Sequence, residues 1–205
     1  MQQSELFENP PALPPGFVYA PEFLTRAEEG ELLQLIRALP LHEAQYRQYT
    51  ARRRIVSYGG RYDFTHHELL PAGPIPDFLY PLRARIAAWS GIAASEFNHA
   101  LISEYQPGTP LGWHRDVHEF GTIVGVSLAG EARLRLRPYP PTKGRNADAI
   151  ALTIERRSIY RMANDARWNW QHAVSATKML RYSITFRTLE RRVAHASEER
   201  SQPPR

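Results

Sequence analysis

From residue 98 to residue 188 the sequence divides into short segments that have the pattern of β-strands. We expect strands over residues 98–105, 122–128, 133–137, 149–154, 158–162 and 181–188, with a polar loop over 138–146. In one segment Leu134 and Leu136 alternate with arginines, which is typical of a strand with one face in water. Many short strands in succession favour a closed or sandwiched antiparallel sheet.

Two helical segments precede these strands. Thr25 and Glu28 form a capping-box pattern that predicts the start of the first helix, and Pro40 is expected to stop it. The second helix has its apolar positions between residues 79 and 89, with Gly91 as its C-terminal stop. Helices followed by strands predict an α+β fold in which the helices pack outside the sheet.

Length and composition indicate one domain with two tails. We expect a flexible, proline-rich leader over residues 1–16, the domain over 17–190 and a charged tail over 191–205. The chain has no cysteine, which excludes disulfides, a thiolate zinc site and a cysteine nucleophile. Because it shows neither a secretory signal pattern nor a long apolar run, we expect a cytoplasmic monomer with no membrane partner.

The charge balance is basic and is carried almost entirely by arginine. The formal net charge is +5, and Lys143 and Lys178 are the only lysines among 26 basic residues. Arginine suits bidentate contacts with phosphate, so this excess permits a nucleic-acid partner. A genome rich in G and C would produce the same bias without such a partner.

Arginines and tyrosines are interleaved between residues 44 and 64. We expect a hairpin here, with strands over 55–58 and 61–64 joined by the Gly59-Gly60 turn. Guanidinium groups that bind phosphates and rings that stack on bases suit a nucleic-acid surface. An exposed hairpin with ordinary strand tyrosines would give the same pattern.

The segment Gly112-Trp113-His114-Arg115-Asp116 places an imidazole and a carboxylate two residues apart, directly after a turn signal at 107–110. Residues i and i+2 of a strand share a face, so His114 and Asp116 can converge. A third ligand is expected from a later strand, and His172 is the candidate. Two histidines and one carboxylate leave three positions open on Fe(II), although a His-x-Asp pair alone arises often by chance.

The segment from Arg181 to Arg187 alternates between apolar and polar residues. Tyr182, Ile184 and Phe186 are expected to face the core. Arg181, Ser183, Thr185 and Arg187 then face either solvent or a polar cavity. In a cavity the two guanidiniums would need anions, which a dicarboxylate supplies. Their Cα atoms would lie about 20 Å apart, so the spacing alone does not decide between the two.

The order of these motifs resembles the AlkB family of Fe(II)/2-oxoglutarate-dependent dioxygenases over about residues 17–190. The motifs are Asn98, Tyr105-x-Pro107-Gly108, His114-x-Asp116, His172 and Arg181-x-Ser183-x-Thr185-x-Arg187. The resemblance implies a double-stranded β-helix (jelly-roll) core that binds Fe(II) through His114, Asp116 and His172. It implies a 2-oxoglutarate pocket that contains Arg181, Arg187, Tyr105, Ser183 and Ser103. Arg181 would hold the distal carboxylate and Arg187 the end nearer the iron; both serines stand where relatives often carry asparagine.

The implied reaction is oxidative demethylation of alkylated bases in single- or double-stranded DNA or RNA. O₂ and 2-oxoglutarate are the co-substrates, and formaldehyde, succinate and CO₂ are the products. A base in a duplex must first be flipped out. The family's lid over the base maps onto about residues 45–65. Candidate substrate contacts are Tyr58 and Tyr62 for stacking, Arg52, Arg53 and Arg54 for phosphates, and Trp113 and His118 beside the metal ligands.

Two alternatives remain at this stage. One is an AlkB-like oxygenase that acts on tRNA or protein, because His118 stands where an acidic residue often meets the base in repair enzymes. The other is a jelly-roll module that binds a metal without turnover. The oxygenase hypothesis predicts that Arg187→Ala abolishes 2-oxoglutarate binding while iron binding survives, whereas the module hypothesis predicts no change.

Overall fold

A computed structural model describes residues 12–46, 49–141 and 149–190. The predicted tail over 191–205 and most of the predicted leader therefore lie outside the described residues. The helices are α1 (Arg26–Arg37), α2 (Tyr80–Ser90) and α3 (Asn164–Trp168). The strands are β1 (Phe17–Ala20), β2 (His42–Tyr46), β3 (Tyr49–Tyr58), β4 (Arg61–Asp63), β5 (Glu68–Leu70), β6 (Phe97–Tyr105), β7 (Leu111–His114), β8 (Phe120–Leu128), β9 (Ala132–Pro138), β10 (Ile150–Ile154), β11 (Ile159–Met162), β12 (Trp170–Val174) and β13 (Arg181–Leu189). Within these ranges, no helix is long and apolar enough to span a membrane.

Eleven of the strands form two facing antiparallel sheets. The larger sheet has the order β1-β11-β8-β13-β6-β3-β2, and the smaller has the order β10-β9-β12-β7. Neighbours in each sheet are mostly distant in sequence, as expected when the chain passes back and forth between the two layers of a jelly roll. The predicted α+β class with a jelly-roll core and flanking helices is confirmed.

The helices cover the outer face of the seven-stranded sheet. Ile36 of α1, Ile86 of α2, and Ile102 and Ile184 of the sheet are fully buried together in this layer. Each such side chain contributes on the order of 2 kcal/mol through removal of apolar surface from water. The capping box at the start of α1 forms as predicted, with Thr25 and Glu28 each accepting a hydrogen bond from the other's backbone N–H.

A buried glutamate fixes α1 against the sheet. The carboxylate of Glu29 is fully buried and accepts a hydrogen bond of 2.8 Å from the backbone N–H of Ala129. It also pairs with Arg156 at 2.6 Å and with Arg157 at 3.7 Å. A buried charge is tolerated only when it is satisfied in this way, so these contacts specify where the helix sits.

The region around Gly59-Gly60 differs from the predicted hairpin. β3 and β4 do not pair; β3 lies between β2 and β6, and β4 pairs with β5 instead. Both edges of β3 are therefore occupied, and the chain has to leave the sheet. Gly59 makes this exit with a φ of 76°, at a position where a Cβ would lie 1.8 Å from the carbonyl oxygen of Asn98.

A second apolar cluster lies between the two sheets. Leu134 and Leu136 of β9 and Val174 of β12 face Ile123 and Tyr160 of the larger sheet. The ring of Tyr160 lies directly over Gly125 of β8, so closely that a Cβ on this glycine would be 2.4 Å from the ring. This packing leaves no room for a side chain at position 125.

Gly125→Ala and Gly30→Ala should therefore change stability in opposite directions. We expect Gly125→Ala to lower the free energy of unfolding by about 1–3 kcal/mol, because the buried Tyr160 ring must move. Gly30 lies in α1 with open space around it, so Gly30→Ala should raise the value by about 0.5–1 kcal/mol. Urea denaturation measures both; equal effects would contradict the close contact at Gly125.

Candidate active site

Three potential metal ligands come together at one end of the smaller sheet. His114 ends β7, Asp116 lies in the loop that follows, and His172 lies on β12 in register with His114. The two imidazole centroids are 4.1 Å apart. One donor atom from each of the three side chains lies within 4.8 Å of the others, a separation that a single ion can bridge.

Neighbouring groups orient two of these ligands. The ring nitrogen Nδ1 of His114 lies 2.8 Å from the carbonyl oxygen of Gly112, so it carries the proton and leaves Nε2 free. Oδ1 of Asp116 accepts hydrogen bonds from Nη2 and Nε of Arg187, at 2.9 and 3.2 Å. The other oxygen, Oδ2, lies 3.7 Å from Nε2 of His172. Two imidazole nitrogens and one carboxylate oxygen thus remain on one side, a donor set that suits Fe(II).

The electrostatics keep all three groups in the form that binds a metal. Burial lowers the pKa of His172 to about 3, and the adjacent His114 adds to the shift, so the ring is neutral at pH 7. Burial also lowers the pKa of His114. For Asp116, burial acts to raise the pKa, but Arg187 and the two histidines outweigh it, and the carboxyl stays ionised.

β13 places its polar face in the same cavity. Arg181, Ser183, Thr185 and Arg187 line it, while Tyr182, Ile184 and Phe186 pack in the helix-side core. The adjacent β6 adds Ser103 and Tyr105, which stand opposite Ser183 and Arg181. Of the two arrangements left open by the sequence, solvent or polar cavity, the structure has the cavity.

The cavity holds more positive than negative charge. Its lining includes the guanidiniums of Arg53, Arg181 and Arg187. Arg187 pairs with Asp116, but neither of the other two has a carboxylate partner within the described ranges. Nε of Arg53 is buried and has no hydrogen-bond partner there. Arg181 donates to Oγ of Ser127 at 2.9 Å and lies 5.1 Å from the centroid of the Tyr105 ring. Two uncompensated cations suit a ligand with two negative charges.

Sequence reasoning missed one group that lines the cavity, Tyr160, and one that lies behind Arg187, His99. Nδ1 of His99 lies 3.4 Å from Nη1 of Arg187, and its Nε2 lies 3.0 Å from Oγ of Ser57. Burial, and then Arg187, lower the pKa of His99 to about 3, so it is a neutral support behind the arginine. Tyr160 lines the cavity, and burial raises its pKa to about 12, which keeps its hydroxyl protonated. A glycine inside a predicted strand, Gly125, was the available signal for a large ring nearby.

The predicted substrate contacts separate into different surfaces. Arg53 turns into the cavity, where its Nη1 lies 3.5 Å from the hydroxyl of Tyr105. Its neighbour Arg52 is exposed. Arg54 forms a two-bond pair with Glu104, at 2.7 and 2.9 Å, so its charge is already used. The phosphate role predicted for Arg54 therefore does not fit its placement.

Four aromatic or histidine candidates also lie away from the cavity lining. Tyr58 packs against the helix-side core, so the stacking role predicted for it needs correction: alternation along β3 turns it to the opposite face from Arg53. Tyr62 lies in β4 with its ring 4.9 Å from that of Phe64. Trp113 lies beneath two arginines outside the cavity. His118 is exposed and lies 3.3 Å from the carboxylate of Glu119.

A second group of potential ligands has a structural explanation. Asp63, His66 and Glu68 also bring their donor atoms within 4.8 Å of one another. However, Asp63 already accepts hydrogen bonds from the backbone N–H groups of Thr65 and His66, and its other oxygen contacts the His66 ring. These bonds close the turn between β4 and β5, and the two remaining side chains are exposed.

With this geometry in place, comparison with known proteins identifies the family. The model of the 2OG-Fe(II) oxygenase superfamily matches residues 16–187. The chain belongs to this superfamily and, by its relatives, to the AlkB-type oxygenases within it. Enzymes of this class use Fe(II), 2-oxoglutarate and O₂, which confirms the predicted cofactors and oxidoreductase class.

Curated relatives differ in length and in the activity their names describe. The "Probable RNA/DNA demethylase ALKBH6" of Danio rerio is 25% identical over 169 residues, which cover 78% of this chain and 70% of that protein. The "Alkylated DNA repair protein ALKBH8 homolog" of Arabidopsis thaliana is 27% identical, covering 80% and 52%. The "tRNA (carboxymethyluridine(34)-5-O)-methyltransferase ALKBH8" of Macaca fascicularis is 25% identical, covering 83% and 26%. The chain thus spans about half or less of the two ALKBH8 proteins.

A solved structure supports the fold independently. The structure of OsALKBH1 superimposes with a TM-score of 0.65 at 16% sequence identity, covering 86% of this chain and 100% of that one. At this identity the match defines the jelly-roll architecture.

The Arg187–Asp116 pair gives a prediction that differs from the expectation based on sequence. Arg187→Ala should abolish 2-oxoglutarate binding and also weaken Fe(II) binding by about 10- to 100-fold, because the ligand carboxylate loses its support. Anaerobic Fe(II) titration and calorimetry with 2-oxoglutarate measure the two effects.

Arg85→Ala is the matched control, since Arg85 contacts Glu28 and Phe23 on the helix side of the fold and does not line the cavity. It should leave both affinities unchanged. Unchanged Fe(II) affinity in Arg187→Ala would show that the ion pair with Arg187 does not support Asp116 as a ligand.

Proposed function

We propose that this oxygenase removes methyl groups oxidatively from alkylated bases in DNA or RNA. In this proposal His114, Asp116 and His172 hold Fe(II). Arg181 and Arg187 hold the two ends of 2-oxoglutarate, and Tyr105, Ser103 and Ser183 line the pocket between them. The observation that carries the assignment is one cavity that joins three converging metal ligands to three guanidiniums, of which only that of Arg187 pairs with a carboxylate among the described residues.

The residues of the chain position the reactants and the iron supplies the oxidation. His114, Asp116 and His172 would hold Fe(II), which would supply the oxidation, and Arg187 keeps the Asp116 carboxyl ionised and fixes its orientation. Of the two oxygen atoms of O₂, one enters succinate as 2-oxoglutarate loses CO₂, and the other is inserted into a C–H bond of the N-methyl group. The resulting N-hydroxymethyl group then loses formaldehyde and returns the N–H of the base.

A nucleic-acid substrate is supported by the residues around the cavity and by the names of the relatives. Arg53 reaches the cavity from β3, within the predicted lid over residues 45–65, and adds a cation where a nucleotide would enter. Proteins named as an RNA/DNA demethylase and as a DNA repair protein match about four-fifths of the chain. A base buried in a duplex would have to be flipped out to reach the metal, so single strands should react more readily.

A tRNA substrate is the second candidate. Relatives named as tRNA-modifying enzymes match more than 80% of this chain, although they are much longer proteins. The exposed His118 beside the metal loop makes no contact in the cavity that would select a particular base. Comparison of methylated DNA and RNA oligonucleotides with tRNA therefore decides between the two candidates. The monomeric state and the cytoplasmic location stay predictions.

The proposal predicts formaldehyde release from methylated oligonucleotides. The full chain with Fe(II), 2-oxoglutarate and O₂ should demethylate single-stranded oligonucleotides that carry 1-methyladenine or 3-methylcytosine, and these should react faster than the same sequences in a duplex. A coupled formaldehyde assay, with mass spectrometry of the oligonucleotide, measures the reaction on DNA, RNA and tRNA in parallel.

His114→Ala is the inactive control, because it removes one of the three proposed ligands. Turnover of 2-oxoglutarate to succinate with no demethylation of any of these polymers would refute the substrate and retain the oxygenase. Demethylation of tRNA alone would favour the second candidate.

A further inference from the structure

The outer face of the smaller sheet carries a row of arginines that the site does not use. Along β9, Leu134 and Leu136 point inward, and Arg133, Arg135 and Arg137 point to the opposite face. Alternate residues of a strand are about 6.6 Å apart, so the three positive charges form a regularly spaced line. We call these three residues, with Trp113, Arg115 and Tyr139, the outer arginine face.

Aromatic rings hold most of these guanidiniums flat against the sheet. Arg135 and Arg137 both lie over the ring of Trp113, with distances of 4.9 and 4.3 Å to its centroid. Arg115 lies 3.8 Å from the centroid of the Tyr139 ring, which is 42% exposed. A guanidinium stacked on a ring is pre-organised and keeps its N–H groups available at the edge.

Among the described residues, no acidic side chain neutralises these charges. In the part of the chain that the structure describes, none of the four arginines has a carboxylate within ion-pair distance. Their hydrogen-bond partners are neutral: Thr153 for Arg133, Gln171 for Arg137 and the carbonyl of Trp168 for Arg115. In contrast, Arg54, Arg156 and Arg187 elsewhere in the fold are each paired with an acid. The outer arginine face therefore has unused capacity for anions.

The outer arginine face lies on the other side of the smaller sheet from the proposed metal site and shares strands with it. Arg115 stands in sequence between the ligands His114 and Asp116. β9 pairs with β12, the strand that carries His172. Arg135 and Arg137 stand opposite Ala173 and Gln171, the two residues that flank His172 in the sequence. The same two strands thus present ligands to the cavity and arginines to the outside. Arg115, which is exposed and adjacent to both ligands, is the member of this face nearest to the cavity along the chain.

We propose that the outer arginine face binds the phosphodiester backbone of a single-stranded polynucleotide beside the reacting base. Evenly spaced arginines match the repeated single charges of such a backbone, and Tyr139 offers a ring on which a neighbouring base can stack. An anionic membrane fits less well, because among the described residues Tyr139 is the only large apolar side chain exposed on this face. The choice of a polynucleotide as the partner rests on the proposed function, but its binding is measured in an assay that needs no demethylation.

The test is binding of an unmodified fluorescent 20-nucleotide single strand to the full chain, by anisotropy over a range of salt concentrations. Each phosphate contact to a single strand contributes about 0.7 to the slope of log K against log salt. Arg133→Gln/Arg135→Gln should therefore lower the slope by about 1.4 and weaken binding at low salt on the order of tenfold. Arg133→Lys/Arg135→Lys, which keeps both charges, should retain most of the affinity.

The matched control is Arg26→Gln/Arg37→Gln, which removes the same charge from the exposed surface of α1, behind the larger sheet. It should bind within about twofold of the wild type, because these charges lie far from the proposed path. Thermal unfolding of each variant confirms that the sheet is intact. The proposal would be overturned if Arg133→Gln/Arg135→Gln and Arg26→Gln/Arg37→Gln lost affinity equally, or if neither lost any. It would also be overturned if polyglutamate competed as well as an unlabelled single strand.

The two proposals fail in different ways. Loss of binding in Arg133→Gln/Arg135→Gln with no demethylation by the wild type would support the face and refute the proposed function. Demethylation by the wild type with undiminished oligonucleotide binding in that variant would refute the face alone.

Discussion

The ion pair between Arg187 and Asp116 connects the parts of this structure that matter for its chemistry. Arg187 comes from the larger sheet, and Asp116 follows β7 of the smaller one, so the pair joins the two layers at the metal site. Both side chains are about one-tenth exposed, and loss of one partner of such a pair costs about 3–5 kcal/mol. Ser57 and His99 extend the contacts from Arg187 back to β3, within the predicted lid.

Arginines that look alike in the sequence occupy different environments in the fold. Arg187 pairs with Asp116, whereas Arg181 and Arg53 line the cavity with no carboxylate partner among the described residues. Arg54, next to Arg53, is turned to Glu104 instead. Outside the cavity, Arg135 and Arg137 lie on Trp113 and face solvent. Strand alternation sets the direction of each side chain and thereby decides whether it lines the cavity, pairs with a neighbouring acid or faces solvent.

Features that depend on local pattern could be predicted from the sequence. The α1 cap, the six strands predicted between residues 98 and 188 and the two faces of β13 all follow from period and capping, and the structure has them, with strand ends within two residues of the prediction. The sequence predicted neither the bounds of β7 and β12 nor α3. Features that depend on partners far away in the chain could not be predicted. Gly59-Gly60 reads locally as a hairpin turn, but β6 and β2 occupy both edges of β3. Cross-strand register alone brings Tyr160 to the cavity and His99 to Arg187, and no local pattern encodes this register.

One anaerobic experiment tests directly whether a single cavity holds both iron and 2-oxoglutarate. 2-Oxoglutarate is titrated into the Fe(II)-loaded full chain while the visible absorption spectrum is recorded. A 2-oxo acid bound directly to Fe(II) gives a charge-transfer band that neither component shows alone. A band that saturates at one 2-oxoglutarate per chain is the expected result. Tight binding of both Fe(II) and 2-oxoglutarate without this band would place them at separate sites and contradict the assignment.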